Sequence, residues 1–202
     1  MPTETAIATV PVGGCVDDIT VSPDGGRIYV ARSDSVTVIN RWHSIVASIP
    51  LRGPARSLAM DVAGTQLFVV HYDGSVVVID TRDYTAQTPW EGCASDVVIS
   101  PDGRHLYAAH NQAADDRPNG VVSVIDIACA TTVATVSVND VVALAISLDG
   151  NRLYAISCDR GTYYQYPAGW LTIIDTASHA VVETIGVGAC PETATVSPDG
   201  AY

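Results

Sequence analysis

The chain has 202 residues, 48% of them hydrophobic, and a formal net charge of −12 at pH 7. Its ten cations are all arginine. There is no basic stripe to release counterions from nucleic acid and no lysine for Schiff-base chemistry. Apolar residues come in short runs rather than membrane-length stretches, so a soluble all-β globule without a membrane span is expected.

Residues Met1-Pro2-Thr3-Glu4 lack the cationic start and long apolar core of a signal peptide. As written the chain is expected to be cytoplasmic, or extracytoplasmic if it belongs to a longer one. Residues 5–10 read as a short strand and 11–15 as a connector. Next comes a hairpin, Ile19-Thr20-Val21-Ser22-Pro23-Asp24-Gly25 followed by Ile28-Tyr29-Val30. Proline presets φ at the first corner, aspartate bonds its own backbone, and glycine accepts φ > 0.

The same hairpin is written again at Leu58–Val69, Val97–Ala109 and Leu144–Ala155, and begins once more at Ala194–Gly200. Its serine, or the aspartate standing in for it, falls at Ser22, Asp61, Ser100, Ser147 and Ser197, in steps of 39, 39, 47 and 50. A second marker, a Val-Ile-Asp-like triplet ending at Asn40, Asp80, Asp126 and Asp175, runs in steps of 40, 46 and 49. Two independent markers on one period define a structural repeat. Third strands at 35–40 and fourth strands at 45–50, 133–138 and 181–187 complete modules of four strands, the size of a propeller blade. Modules fall at approximately 11–50, 51–89, 90–138, 139–187 and an incomplete 188–202.

The first strands alternate large with small apolar residues (Leu58/Met60 with Ala59, Leu144/Ile146 with Ala145), and Val76–Ile79 is apolar throughout. Both faces of each sheet must therefore be covered, as in blades stacked around an axis. The fold expected is all-β, a β-propeller of about four complete four-stranded blades with partial blades at both ends, a fragment or an open array. Open blade edges invite self-association.

Ser-Pro-Asp-Gly, a Tyr-Val or Tyr-Ala strand, then Val-x-Val-Ile-Asp resembles the YVTN-type bacterial β-propeller repeat within the WD40/YVTN-like group. The residues that carry it are Ser22–Val30, Ser100–Ala108 and Ser197–Tyr202, with Val36–Asn40, Val76–Thr81, Val121–Asp126 and Ile173–Thr176. The resemblance implies the fold. For function it implies anything from scaffolds to, more distantly, lactone hydrolases.

In such a blade the hairpin turns lie at one rim, and the loops after second strands lie with the connectors at the other. Irregular features collect at that second rim. Arg32, His71, His110 and Ser157 align at the ends of second strands. Asp18 and Asp96 stand four residues before the marker at the channel mouth, and could help hold a cation or sit as plain strand-end carboxylates. Cys15, Cys93 and Cys190 align in connectors. Free buried thiols are the default there, with Cys158 able to approach Cys190. No spacing resembles a zinc site, and no cofactor is expected.

Two insertions, 111–120 and 159–169, fall on the same rim. The second carries Arg160, Tyr163, Tyr164 and Tyr166 and leads into Trp170, an aromatic set suited to recognition. Two functions follow. One is a non-catalytic scaffold that presents these inserts to a protein or peptide partner. The other is a lactonase-like hydrolase or isomerase at the channel mouth, with Arg32 holding an anionic group and His71 or His110 as general base.

Overall fold

The structure is a computed structural model that describes residues 6–90, 94–112, 119–138, 140–159 and 168–197. Among the described residues, sixteen strands form four antiparallel four-stranded sheets in simple up-and-down order. The first blade holds β1 (Val16–Val21), β2 (Arg27–Arg32), β3 (Ser35–Asn40) and β4 (Ile45–Pro50). The second holds β5 (Ala55–Met60), β6 (Gln66–His71), β7 (Val76–Asp80) and β8 (Ala86–Trp90). The third holds β9 (Ala94–Ile99), β10 (His105–Gln112), β11 (Asn119–Asp126) and β12 (Thr131–Ser137). The fourth holds β13 (Val141–Ile146), β14 (Arg152–Asp159), β15 (Ala168–Asp175) and β16 (Ala180–Gly188).

The turn that sets the period is a hydrogen-bonded unit. Ser22 Oγ donates to Asp24 Oδ1 at 2.6 Å and accepts from Arg27 N at 2.8 Å, while Gly26 N donates to Asp24 Oδ1 at 2.8 Å. Ser100 with Asp102, and Ser147 with Asp149, repeat the pattern. In the second blade Asp61 does both jobs, accepting from the main-chain N–H of Thr65 and of Gln66. The fold of the turn survives the loss of the serine because the acceptor is what the backbone needs. Asn40, Asp80, Asp126 and Asp175 close the other hairpins at this rim, each accepting main-chain N–H groups from the turn that follows.

Each of the three apolar cores lies between neighbouring blades. Tyr29, Val38 and Ile49 pack on Leu58, Leu67 and Ile79. Phe68 and Val70 pack on Val97 and Leu106. Tyr107, Val122 and Val136 pack on Leu144 and Leu153. The both-faces-buried pattern of the sequence is thereby explained. The first blade is the exception on one side. Ile19 is 59% exposed, whereas its repeat equivalents Leu58, Val97 and Leu144 are 7%, 2% and 4% exposed, because each of those has a preceding blade against it.

Three expectations are corrected. Residues 6–10 form no strand, and residues 192–197 form none either. The insertions are not wholly loop. Strand pairing runs out along them as far as Gln112↔Asn119 and Asp159↔Ala168. Cys158 and Cys190 are joined in a disulfide, with their Cα atoms 4.6 Å apart, so these two are not free thiols. Cys15 and Cys129 are free but exposed rather than buried, and Cys93 lies outside the described residues.

Candidate functional site

The rim opposite the Ser-Pro-Asp-Gly turns gathers the connectors and the ends of β2, β6, β10 and β14, and here the expected site residues divide sharply. Arg32 ends β2 and turns back onto the connector before its own blade. Its Nη1 donates to the Val12 carbonyl, and its Nη2 meets Asp34 Oδ1 at 3.1 Å. Gly13 and Gly14, both at positive φ, let that connector lie against the guanidinium, and a Cβ on Gly13 would sit 3.5 Å from Nη1. The hydrogen bond from Ser35, with Arg32 beside it, holds the Asp34 carboxyl below the ordinary carboxylate range.

His71 occupies the equivalent place in the second blade and is 3% exposed. Its Nδ1 lies 3.0 Å from the Gly53 carbonyl, which can only accept, so Nδ1 carries the proton. The other ring nitrogen, Nε2, is buried with no hydrogen-bond partner among the described residues. In the third blade His110 is half-buried, and desolvation pushes its pKa below the usual histidine value. The three residues share a rim, one per blade. Among the described residues no hydrogen bond joins any of them to another.

Asp18 and Asp96 have a role the sequence did not disclose. Asp18 Oδ2 accepts from Leu58 N at 2.7 Å, and Asp96 Oδ2 from Leu144 N at 2.8 Å. Each carboxylate thus caps a main-chain donor on the innermost strand of the next blade. Asp96 reaches backwards as well, accepting from Ser57 Oγ at 2.7 Å. Ser57 stands in the second blade where Asp18 and Asp96 stand in the first and third, so Asp96 ties three consecutive blades together. Burial pushes the Asp96 carboxyl above the ordinary range, against the pull of its hydrogen bonds. A cleft of about 290 Å³ opens at this mouth, lined by Asp17, Asp18, Arg56, Ser57, Asp96 and Glu192 among others. Among the described residues, no group of three or more His, Cys, Asp or Glu is placed to hold a metal ion.

Trp170 lies on β15, exposed, across from Gly186. Arg160, Tyr163, Tyr164 and Tyr166 lie outside the described residues. The disulfide fastens the end of β14 to the segment after the fourth blade, and Pro191 is seated over Gly169.

The repeated sheets and their axial arrangement define a protein of the β-propeller class. No family model matches the chain, and no curated protein matches it. Among solved structures it is similar to a chain of Kuenenia stuttgartiensis hydrazine synthase, with a TM-score of 0.73 and 26% sequence identity over 92% of this chain. The match spans 53% of that chain, so this sequence corresponds to about half its length. Among the described residues no helix is long and apolar enough to cross a membrane.

Proposed function

We propose that the chain is a non-catalytic binding domain, built on YVTN-type repeats, which presents the insert-bearing rim to a protein or peptide partner. The observation that carries this reading is the use already made of the rim's polar groups. Arg32 Nη1 and His71 Nδ1 bond the connectors of their own blades, and Asp18 and Asp96 bond main-chain groups of neighbouring blades. The two inserts start from strand-paired arms that end at Gln112↔Asn119 and Asp159↔Ala168. Loops on a rigid scaffold are the usual seat of recognition. The likeness to the hydrazine synthase chain contributes the fold to this reading and not the activity.

The Cys158–Cys190 disulfide supports an oxidising, extracytoplasmic setting. Replacing 163–166 with Gly and Ser, and comparing capture of partners with the unaltered chain, tests the proposal. The expected result is loss of a specific partner with the fold retained. An identical set of captured proteins would count against it.

A further inference from the structure

The rim of Ser-Pro-Asp-Gly turns has clefts of its own. Between the first and second blades lies a cleft of about 550 Å³, with Arg27, Arg41, Trp42 and Tyr84 on its walls. Its counterpart between the third and fourth blades is about 250 Å³ and has His105 where the first has Arg27. What differs is therefore side-chain chemistry laid over a shared frame.

Arg27 is fixed in place. Its Nη1 donates to the Thr81 carbonyl at 3.0 Å and to Tyr84 Oη at 3.2 Å, and its guanidinium carbon stands 5.9 Å from the Tyr84 ring centre. Arg41 stands 5.8 Å from the ring of Trp42, and among the described residues it is in no ion pair. Trp42 is 74% exposed at the tip of the β3–β4 turn, a place where the other three blades carry Arg82, Ala128 and Ala177. With Val46, half exposed on the same wall, Trp42 makes an apolar patch beside the two guanidinium groups. Tryptophan, tyrosine and arginine are also the residues that dominate binding energy at protein interfaces. The one carboxylate on the wall, Asp24, is already turned to Ser22 and Gly26. In a chain of net charge −12, two guanidinium groups in one cleft are a local reversal of sign.

We infer that this cleft is a second binding surface, which takes an acidic peptide segment. Carboxylates pair with Arg41 and the fixed Arg27, and an apolar side chain lies on Trp42. Guanidinium–carboxylate pairs give the geometry, and a guanidinium held in advance loses less freedom on binding.

The test is titration calorimetry of the whole chain at low salt with a short capped peptide of alternating glutamate and leucine. The same peptide with glutamine for glutamate serves as control. Saturable binding by the acidic peptide is expected, weakened at least tenfold by Arg41→Glu and by Trp42→Ala and absent with the glutamine peptide. Both substitutions lie in an exposed turn, and circular dichroism checks that the sheets persist. Two results would overturn the inference. One is no saturable binding by the unaltered chain. The other is binding that Arg41→Glu leaves unchanged, including binding lost only when residues 163–166 are replaced, which would move the site to the opposite rim.

Discussion

Asp96 Oδ2 accepts the main-chain N–H of Leu144 at 2.8 Å, and through that bond the third blade holds the innermost strand of the fourth. Innermost strands of neighbouring blades belong to different sheets and share no ladder, so their N–H groups toward the axis need partners from elsewhere. Removing the acceptor by Asp96→Ala leaves the Leu144 N–H and the Ser57 hydroxyl unpaired. Such a loss costs about 1–3 kcal/mol per buried group. Asp96→Asn retains an acceptor for Leu144 and is expected to cost much less. Denaturant unfolding of the two variants measures the difference.

The pH dependence has two opposed parts. Hydrogen bonds from Ser147 and Asn151 lower Asp149 to about 2, and those from Ser178 and Arg152 lower Asp175 to about 2. A carboxylate with a depressed folded-state pKa contributes stability above its unfolded value, and loses it as pH falls through the folded one. Acid unfolding is therefore expected to draw on Asp149 and Asp175 between about pH 4 and pH 2. Asp96 runs the other way. Its raised pKa means that the folded state takes up its proton first, so protonation there offsets part of the acid loss. Melting curves from pH 7 to pH 2 are expected to fall less steeply for Asp149→Asn than for the unaltered chain, and more steeply for Asp96→Asn.

The disulfide gives a chemical prediction. Alkylation of the folded, unreduced chain is expected to label Cys15 and Cys129 and to spare Cys158 and Cys190 until a dithiol is added. Reduction removes the covalent tie between the end of β14 and the segment after the fourth blade. Limited proteolysis after reduction is then expected to cut near 189–197 while the four sheets remain resistant.

The uncovered face of the first blade has a physical consequence. Ile19, with Val21 exposed beside it, presents apolar surface that the interior blades bury. Concentration-dependent association is expected in sedimentation velocity, and Ile19→Lys is expected to reduce it without loss of strand content. Equal association of both proteins would show that this face is not responsible.

Much of the fold was legible because the repeat repeats its chemistry. The serine-to-aspartate turn and the Val-Ile-Asp ending set the register of the four complete modules, and β3 and β4 fall where the residues indicated. Other features depended on contacts between modules, which no period reveals. Asp18 and Asp96 stood out as acidic residues at one repeat position, but their partners Leu58 and Leu144 are apolar residues seen only as core. Arg32 and His71 were visible as polar residues in line. The carbonyls they meet, at Val12 and Gly53, belong to connectors whose path a strand pattern does not fix. At the turn rim the residues that stand out are Arg41-Trp42, a bulky aromatic where the other blades carry Arg82, Ala128 and Ala177. The disulfide depends on the path of the segment after the fourth blade, which brings Cys190 onto the end of β14 and which no strand pattern fixes.

The non-catalytic reading is tested most directly by assaying the unaltered chain, His71→Ala and His110→Ala against a panel of lactones, with a melting curve for each. The account predicts no turnover above background for any of the three, and a lower melting temperature for His71→Ala, which loses its bond to Gly53. Turnover by the unaltered chain that disappears in either variant, with melting unchanged, would contradict it.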